Sequence, residues 1–176
     1  MKNIKNLIVL CLISLIGLSA SAKVNGVMNE PDDVYLFSYC TIQDEGKSGL
    51  KFAWSPDGEK WFSIGSGWAF VKSDFGPWGS FKAMFNPHLQ QKKDGTWVCT
   101  WELTKEGDAM AKVASPDLLK WKSQQYFMTS DLVKYAEKDC FPTQEVTIEL
   151  DGRIQKGWSQ KISYTQVLEM IRFAEH

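Results

Sequence analysis

The sequence predicts an all-β fold built on a repeated sheet unit, and three observations predict it. Ser55-Pro56-Asp57-Gly58-Glu59-Lys60-Trp61 returns as Ser115-Pro116-Asp117-Leu118-Leu119-Lys120-Trp121, an offset of 60 residues that keeps Ser-Pro-Asp, Lys and Trp in register. Upstream, Val34-Tyr35-Leu36-Phe37-Ser38-Tyr39 is echoed by Thr96-Trp97-Val98-Cys99-Thr100-Trp101, and Ala53-Trp54 by Val113-Ala114. From 34 to 128, short runs rich in Val, Ile, Tyr, Phe and Trp are punctuated by Asp-Gly and Ser-Pro-Asp, the pattern of strands joined by tight turns. A unit of strand, strand, tight turn and strand cannot bury its apolar face alone. It stacks on neighbours, as a β-propeller blade does.

In the first unit, 34–39 is a strand, 50–54 enters the repeated turn and 61–64 leaves it. The glycine-rich stretch 65–79 then forms a loop carrying Trp68 and Trp78. The second unit opens with an extra leading strand over 82–89, which Lys93-Asp94-Gly95 folds back into 96–101 as a hairpin. Strands at 110–114 and 121–127 complete its four. The first unit has only Asn29-Glu30-Pro31-Asp32-Asp33 in the leading place, so that strand is short or missing. Downstream, 145–150 and 153–158 flank Asp151-Gly152 as a further hairpin. Ser163 with Gln166 then gives a capping-box pattern, and Tyr164, Val167, Leu168 and Ile171 share one face of a C-terminal helix. The expected organisation is a leader over 1–22, an incomplete β-propeller of about two four-stranded blades plus the further hairpin over 23–160, and the short C-terminal helix over 161–176. Roughly four to eight blades close a ring, so such a chain leaves open blade edges suited to self-association or docking.

Lys2 and Lys5 precede an apolar run over 7–18, and Ala20-Ser21-Ala22 offers small residues for cleavage, which predicts a signal peptide and a secreted or periplasmic protein. The run is shorter than the roughly 20 residues a membrane-spanning helix needs, so no membrane span is expected. A formal net charge of −1 with no basic run argues against nucleic acid as a partner. Past the leader, Cys40, Cys99 and Cys140 are an odd number without metal-ligand spacing; one disulfide with a leftover thiol is open, and no metal or cofactor motif is visible.

The Tyr35-Leu36-Phe37-Ser38-Tyr39 strand, the Ala-x-Ser-x-Asp-x-x-x-Trp turn ending at Trp61, and Asn86-Pro87-His88 on a leading strand resemble the five-bladed propeller glycosidases of glycoside hydrolase family 43, the arabinanase and β-xylosidase group. The resemblance spans roughly 34–128. It implies cleavage or binding of arabinose- or xylose-containing oligo- or polysaccharides, without a cofactor. In that family, acidic residues on the innermost strands of the first three blades converge on a central cavity as base, acid and helper. Inverting hydrolysis demands such a set, because one protonated and one ionised carboxyl must flank the sugar about 6.5–9.5 Å apart.

Carried onto this chain, the resemblance implies Asp32 or Asp33 (with Glu30 as a further candidate) as base, Glu145 as acid, and Asn86 and His88 as substrate-positioning residues. Asn86 stands where the family has an aspartate and cannot ionise, so catalysis is either retained or lost in favour of binding. Each residue also has a structural reading. Asn86-Pro87 suits a strand end, His88 a satisfied structural histidine, and Glu145 a solvated strand face. Asp57 and Asp117 suit turn bonding, and Trp61 and Trp121 packing between sheets. Trp68, Trp78, Trp97 and Trp101 either stack on sugar or plug the ends of sheets.

Overall fold

The computed structural model describes residues 32–76 and 82–176. The expected leader over 1–22, Glu30 and Trp78 lie outside the described residues. Among the described residues, nine strands form two antiparallel sheets: β1 (Asp33–Tyr39), β2 (Lys51–Ser55), β3 (Phe62–Ile64), β4 (Phe85–Gln91), β5 (Trp97–Glu102), β6 (Ala109–Ser115), β7 (Gln125–Met128), β8 (Gln144–Leu150) and β9 (Arg153–Ser163). The first sheet has the order β3-β2-β1-β9-β8, the second β4-β5-β6-β7. A short helix α1 (Leu132–Tyr135) follows β7, and α2 (Tyr164–Ala174) ends the chain. Among the described residues, no helix is long and apolar enough to cross a membrane.

The repeat folds as a repeat. In the first turn, the Asp57 carboxylate accepts from the amides of Glu59 and Lys60 at 2.8 and 3.1 Å, and Ser55 Oγ accepts from Gly58 N at 2.8 Å. In the second, Asp117 accepts from Leu119 and Lys120 at 2.9 and 2.8 Å. Short polar side chains thus replace the backbone partners that a sharp turn leaves unpaired. Trp61 packs on Phe37 with ring centres 5.6 Å apart, and Trp121 packs against the main core, so both repeated tryptophans fill space between elements.

Alternation along the strands decides where the core sits. Val34, Leu36, Phe52 and Ile162 of the first sheet face Leu89, Trp97, Cys99, Trp101, Ala111 and Val113 of the second, and Val167 and Met170 of α2 close one end. Trp97 and Trp101 are almost wholly enclosed, each burial stabilising the fold by about 3 kcal/mol. A smaller cluster, Phe37, Tyr39, Ala53, Ile148 and Leu150, covers the opposite face of the first sheet. Helix α2 starts where its cap predicts: Ser163 Oγ accepts from Gln166 N at 3.3 Å.

One expectation needs correction. The further hairpin forms, β8 against β9, and β9 also pairs with β1 along six residues, from Asp33 opposite Ser163 to Ser38 opposite Trp158. The first unit's leading strand is therefore not missing. It comes from the C-terminal part of the chain, and β9-β1-β2-β3 has the same antiparallel order as β4-β5-β6-β7. Gly157 permits the approach: a Cβ there would lie 2.2 Å from the Ser38 carbonyl oxygen and 3.0 Å from the Phe37 ring. Between the sheets, Gln160 Nε2 donates to the Leu89 carbonyl at 3.3 Å, tying β9 to β4.

Candidate functional site

The leading strand β4 opens with a distortion. Phe85 pairs with Glu102 and His88 with Thr100, so Asn86 and Pro87 share one partner position as a β-bulge. Asn86 is left-handed at φ 48°, a conformation that asparagine tolerates better than most residues, and Pro87 fits because a bulge needs no ladder N–H there. The bulge turns the Asn86 amide onto its neighbour strand, where Nδ2 donates to Glu102 Oε2 at 2.8 Å. An asparagine thus holds a carboxylate in place.

Past the bulge, alternation resumes: Leu89 enters the core, and His88 turns to the other face. Its ring lies 4.0 Å from the Trp158 ring, centre to centre and tilted by 31°, and His88 Nε2 is 2.9 Å from Thr143 Oγ1. Burial holds the imidazole below its ordinary 6.5, so it is neutral at neutral pH. Trp158 lies directly opposite Glu145 across the β8-β9 ladder. The Glu145 carboxylate pairs with Lys156 at 2.8 Å, with both side chains about half exposed, so the pair orients the acid without adding much stability.

These groups surround one cavity of about 700 Å³, on the face of the second sheet turned away from the shared core. Asn86, His88, Thr100 and Glu102 of the second sheet line it, together with Glu145 and Trp158 of the first and Leu132, Tyr135 and Glu137 in and beside α1. Glu137 is held from behind by Lys112 at 2.9 Å, each side chain only 17% exposed. No family model, curated protein or solved structure matches this chain. The chemistry of the cavity is therefore read from its own residues: flat aromatic surface beside carboxylates and an amide, the combination that fits a small, hydroxyl-rich ligand.

The cavity unites Asn86, His88 and Glu145 from three different strand positions. Asp32 and Asp33 are not among its lining residues. Asp33 pairs with Ser163 and the Asp32 carbonyl accepts from Tyr164 N, which places both exposed acids at the α2 end of β1, roughly 20 Å of strand from the cleft end. Trp68 packs edge-on against Phe173 of α2, 6.1 Å between centres, also away from the cleft.

Cys40 lines the cavity, but burial and then the nearby Asp44 push its thiol up to about 11, so it is no nucleophile at neutral pH. Cys40, Cys99 and Cys140 are all free thiols. Sequence reasoning overlooked Glu102, Trp158, Tyr135 and Glu137. A signal existed for the first two: counting back from the turn at 93–95 sets 86 against 102, and from Asp151-Gly152 sets 145 against 158.

Proposed function

We propose that this chain is an exported glycan-binding protein of the family 43 glycosidase type, its two sheets adjacent blades of an incomplete propeller, with the cleft receiving arabinose- or xylose-containing oligosaccharides. The observation that carries this reading is the convergence of Asn86, His88 and Glu145 with Glu102 and Trp158 on one cavity. An aromatic face covers the apolar C–H surface of a sugar ring, and carboxylates accept from its hydroxyls. The equivalent order of the two four-strand units, each with a leading strand beside the cleft, supports the blade reading. Basic residues, an apolar run and Ala20-Ser21-Ala22 at the N-terminus support export.

Calorimetric titration with arabino- and xylo-oligosaccharides tests the reading. Binding should weaken about tenfold or more in Trp158→Ala, because a central aromatic contact typically dominates such sites. Absence of heat with every pentose oligomer rejects the proposal.

Hydrolysis is a second reading, favoured by one observation: Glu102 and Glu145 line the same cavity, so two carboxyl groups stand there although Asp32 and Asp33 do not. On this reading, sugar release from aryl pentosides is abolished in Glu102→Gln. An inactive wild type that still binds leaves the binding reading standing alone.

A further inference from the structure

Two further hollows lie in sequence beside the sugar-sized cavity. Tyr135, Ala136 and Glu137 line the 700 Å³ cavity on one side and a second hollow of about 610 Å³ on the other, so the α1 segment is a shared wall between them. A third hollow of about 340 Å³ adjoins the second through Lys92, Lys112 and Glu137. The chemistry changes along this path. Aromatic and acidic groups give way to lysines from four separate segments: Lys92 and Lys93 at the β4-β5 turn, Lys112 on β6, Lys122 before β7, and Lys134 and Lys138 around α1.

Carboxylates temper this charge without matching it. Glu137 holds Lys112 at 2.9 Å and Lys92 at 3.6 Å, and Asp94 also approaches Lys92 at 3.5 Å. Asp139 lies 4.0 Å from Lys93, both well exposed, and Asp131 pairs with Lys134. Lys122 and Lys138 make no ion pair among the described residues. Six lysines against four carboxylates, Glu137, Asp94, Asp139 and Asp131, leave a small local excess of positive charge, carried by Lys122 and Lys138, in a chain whose formal net charge is −1. Such a concave cationic surface concentrates anions.

We infer that the groove takes a glycan carrying an acidic unit, a uronate carboxylate or a sulfate ester, with the neutral sugar in the Trp158 cavity and the acidic unit against the lysines beyond Tyr135. This deepens the glycan-binding reading and rests on it. Ammonium groups form charge-assisted hydrogen bonds with either anion.

The test compares a neutral xylo-oligosaccharide with glucuronate-substituted and sulfated counterparts by calorimetry, on the full chain and on Lys122→Glu/Lys138→Glu, both exposed positions outside the cores. One or both acidic ligands should bind about tenfold tighter than the neutral one at low salt, with the advantage shrinking as salt rises. The double variant should lose that advantage while binding the neutral ligand unchanged, and whichever acidic ligand shows the advantage on the unaltered chain identifies carboxylate or sulfate. Equal affinity for neutral and acidic ligands overturns the inference and leaves the cleft reading intact. No binding of any of the three overturns both. Acidic preference unchanged in the double variant overturns the lysine assignment.

Discussion

The fourth residue of the repeated turn is left-handed in both copies, yet it is Gly58 in one and Leu118 in the other. Glycine adopts that conformation freely; leucine accepts the strain because its side chain is completely buried in the core. Gly58→Ala meets only ordinary contacts with Tyr35, so its cost is conformational, about 1 kcal/mol in denaturant unfolding. Leu118→Ala keeps the strain and empties the core, and should cost about 3 kcal/mol. His88 makes a prediction in pH. Its folded value lies below the ordinary 6.5, so as pH falls through 6.5 the unfolded chain binds the proton first and stability drops until the folded imidazole also titrates. A series of unfolding curves should show this slope in the wild type and its loss in His88→Gln. At this scale the candidate site was partly legible: Asn86, His88 and Glu145 could be picked out by residue type and position, and Glu102 by hairpin counting. Asp32 and Asp33 do not line the cavity, because proximity in sequence to a strand end does not say which end faces the cleft.

Among the elements, β9 carries the most consequence. It completes the first sheet, presents Trp158 to the cleft and bonds across to β4 through Gln160. Its close packing on β1 depends on Gly157, and Gly157→Ala forces a Cβ into the Ser38 carbonyl. The expected cost is about 3 kcal/mol or more, read as a lower unfolding midpoint, with the glycan binding proposed for the cleft lost in proportion as Trp158 moves. Strand positions and turns followed from alternation and from Asp-Gly and Ser-Pro-Asp signals, and the Ser163 cap placed α2. The partnership of β9 with β1 did not follow. Its inward residues include Gln155, Gly157 and Ser159, which carry no apolar alternation, and pairing between segments more than a hundred residues apart leaves no local trace.

Across the whole molecule, the repeat and the cleft have one cause. Two equivalent four-strand units stack face to face around a shared core, and their leading strands, β9 and β4, lie next to each other with the cavity beside them. Because β1 waits for β9, the first sheet is completed only by long-range pairing, which is slow to form and makes site and fold interdependent. The segment from 129 to 143, which supplies Leu132, Tyr135 and Glu137 to the cavity, escaped sequence reading because its short helical turns have no periodicity to detect. Neither local propensity nor the repeat foretold that this segment would wall off a groove.

A crystal structure of the protein soaked with a xylo- or arabino-oligosaccharide tests the central claim most directly. The account predicts a sugar ring against Trp158, with hydroxyls within hydrogen-bonding distance of Asn86, Glu102 or Glu145. A saturated crystal with that cavity empty, or with the sugar lodged elsewhere on the surface, would contradict it.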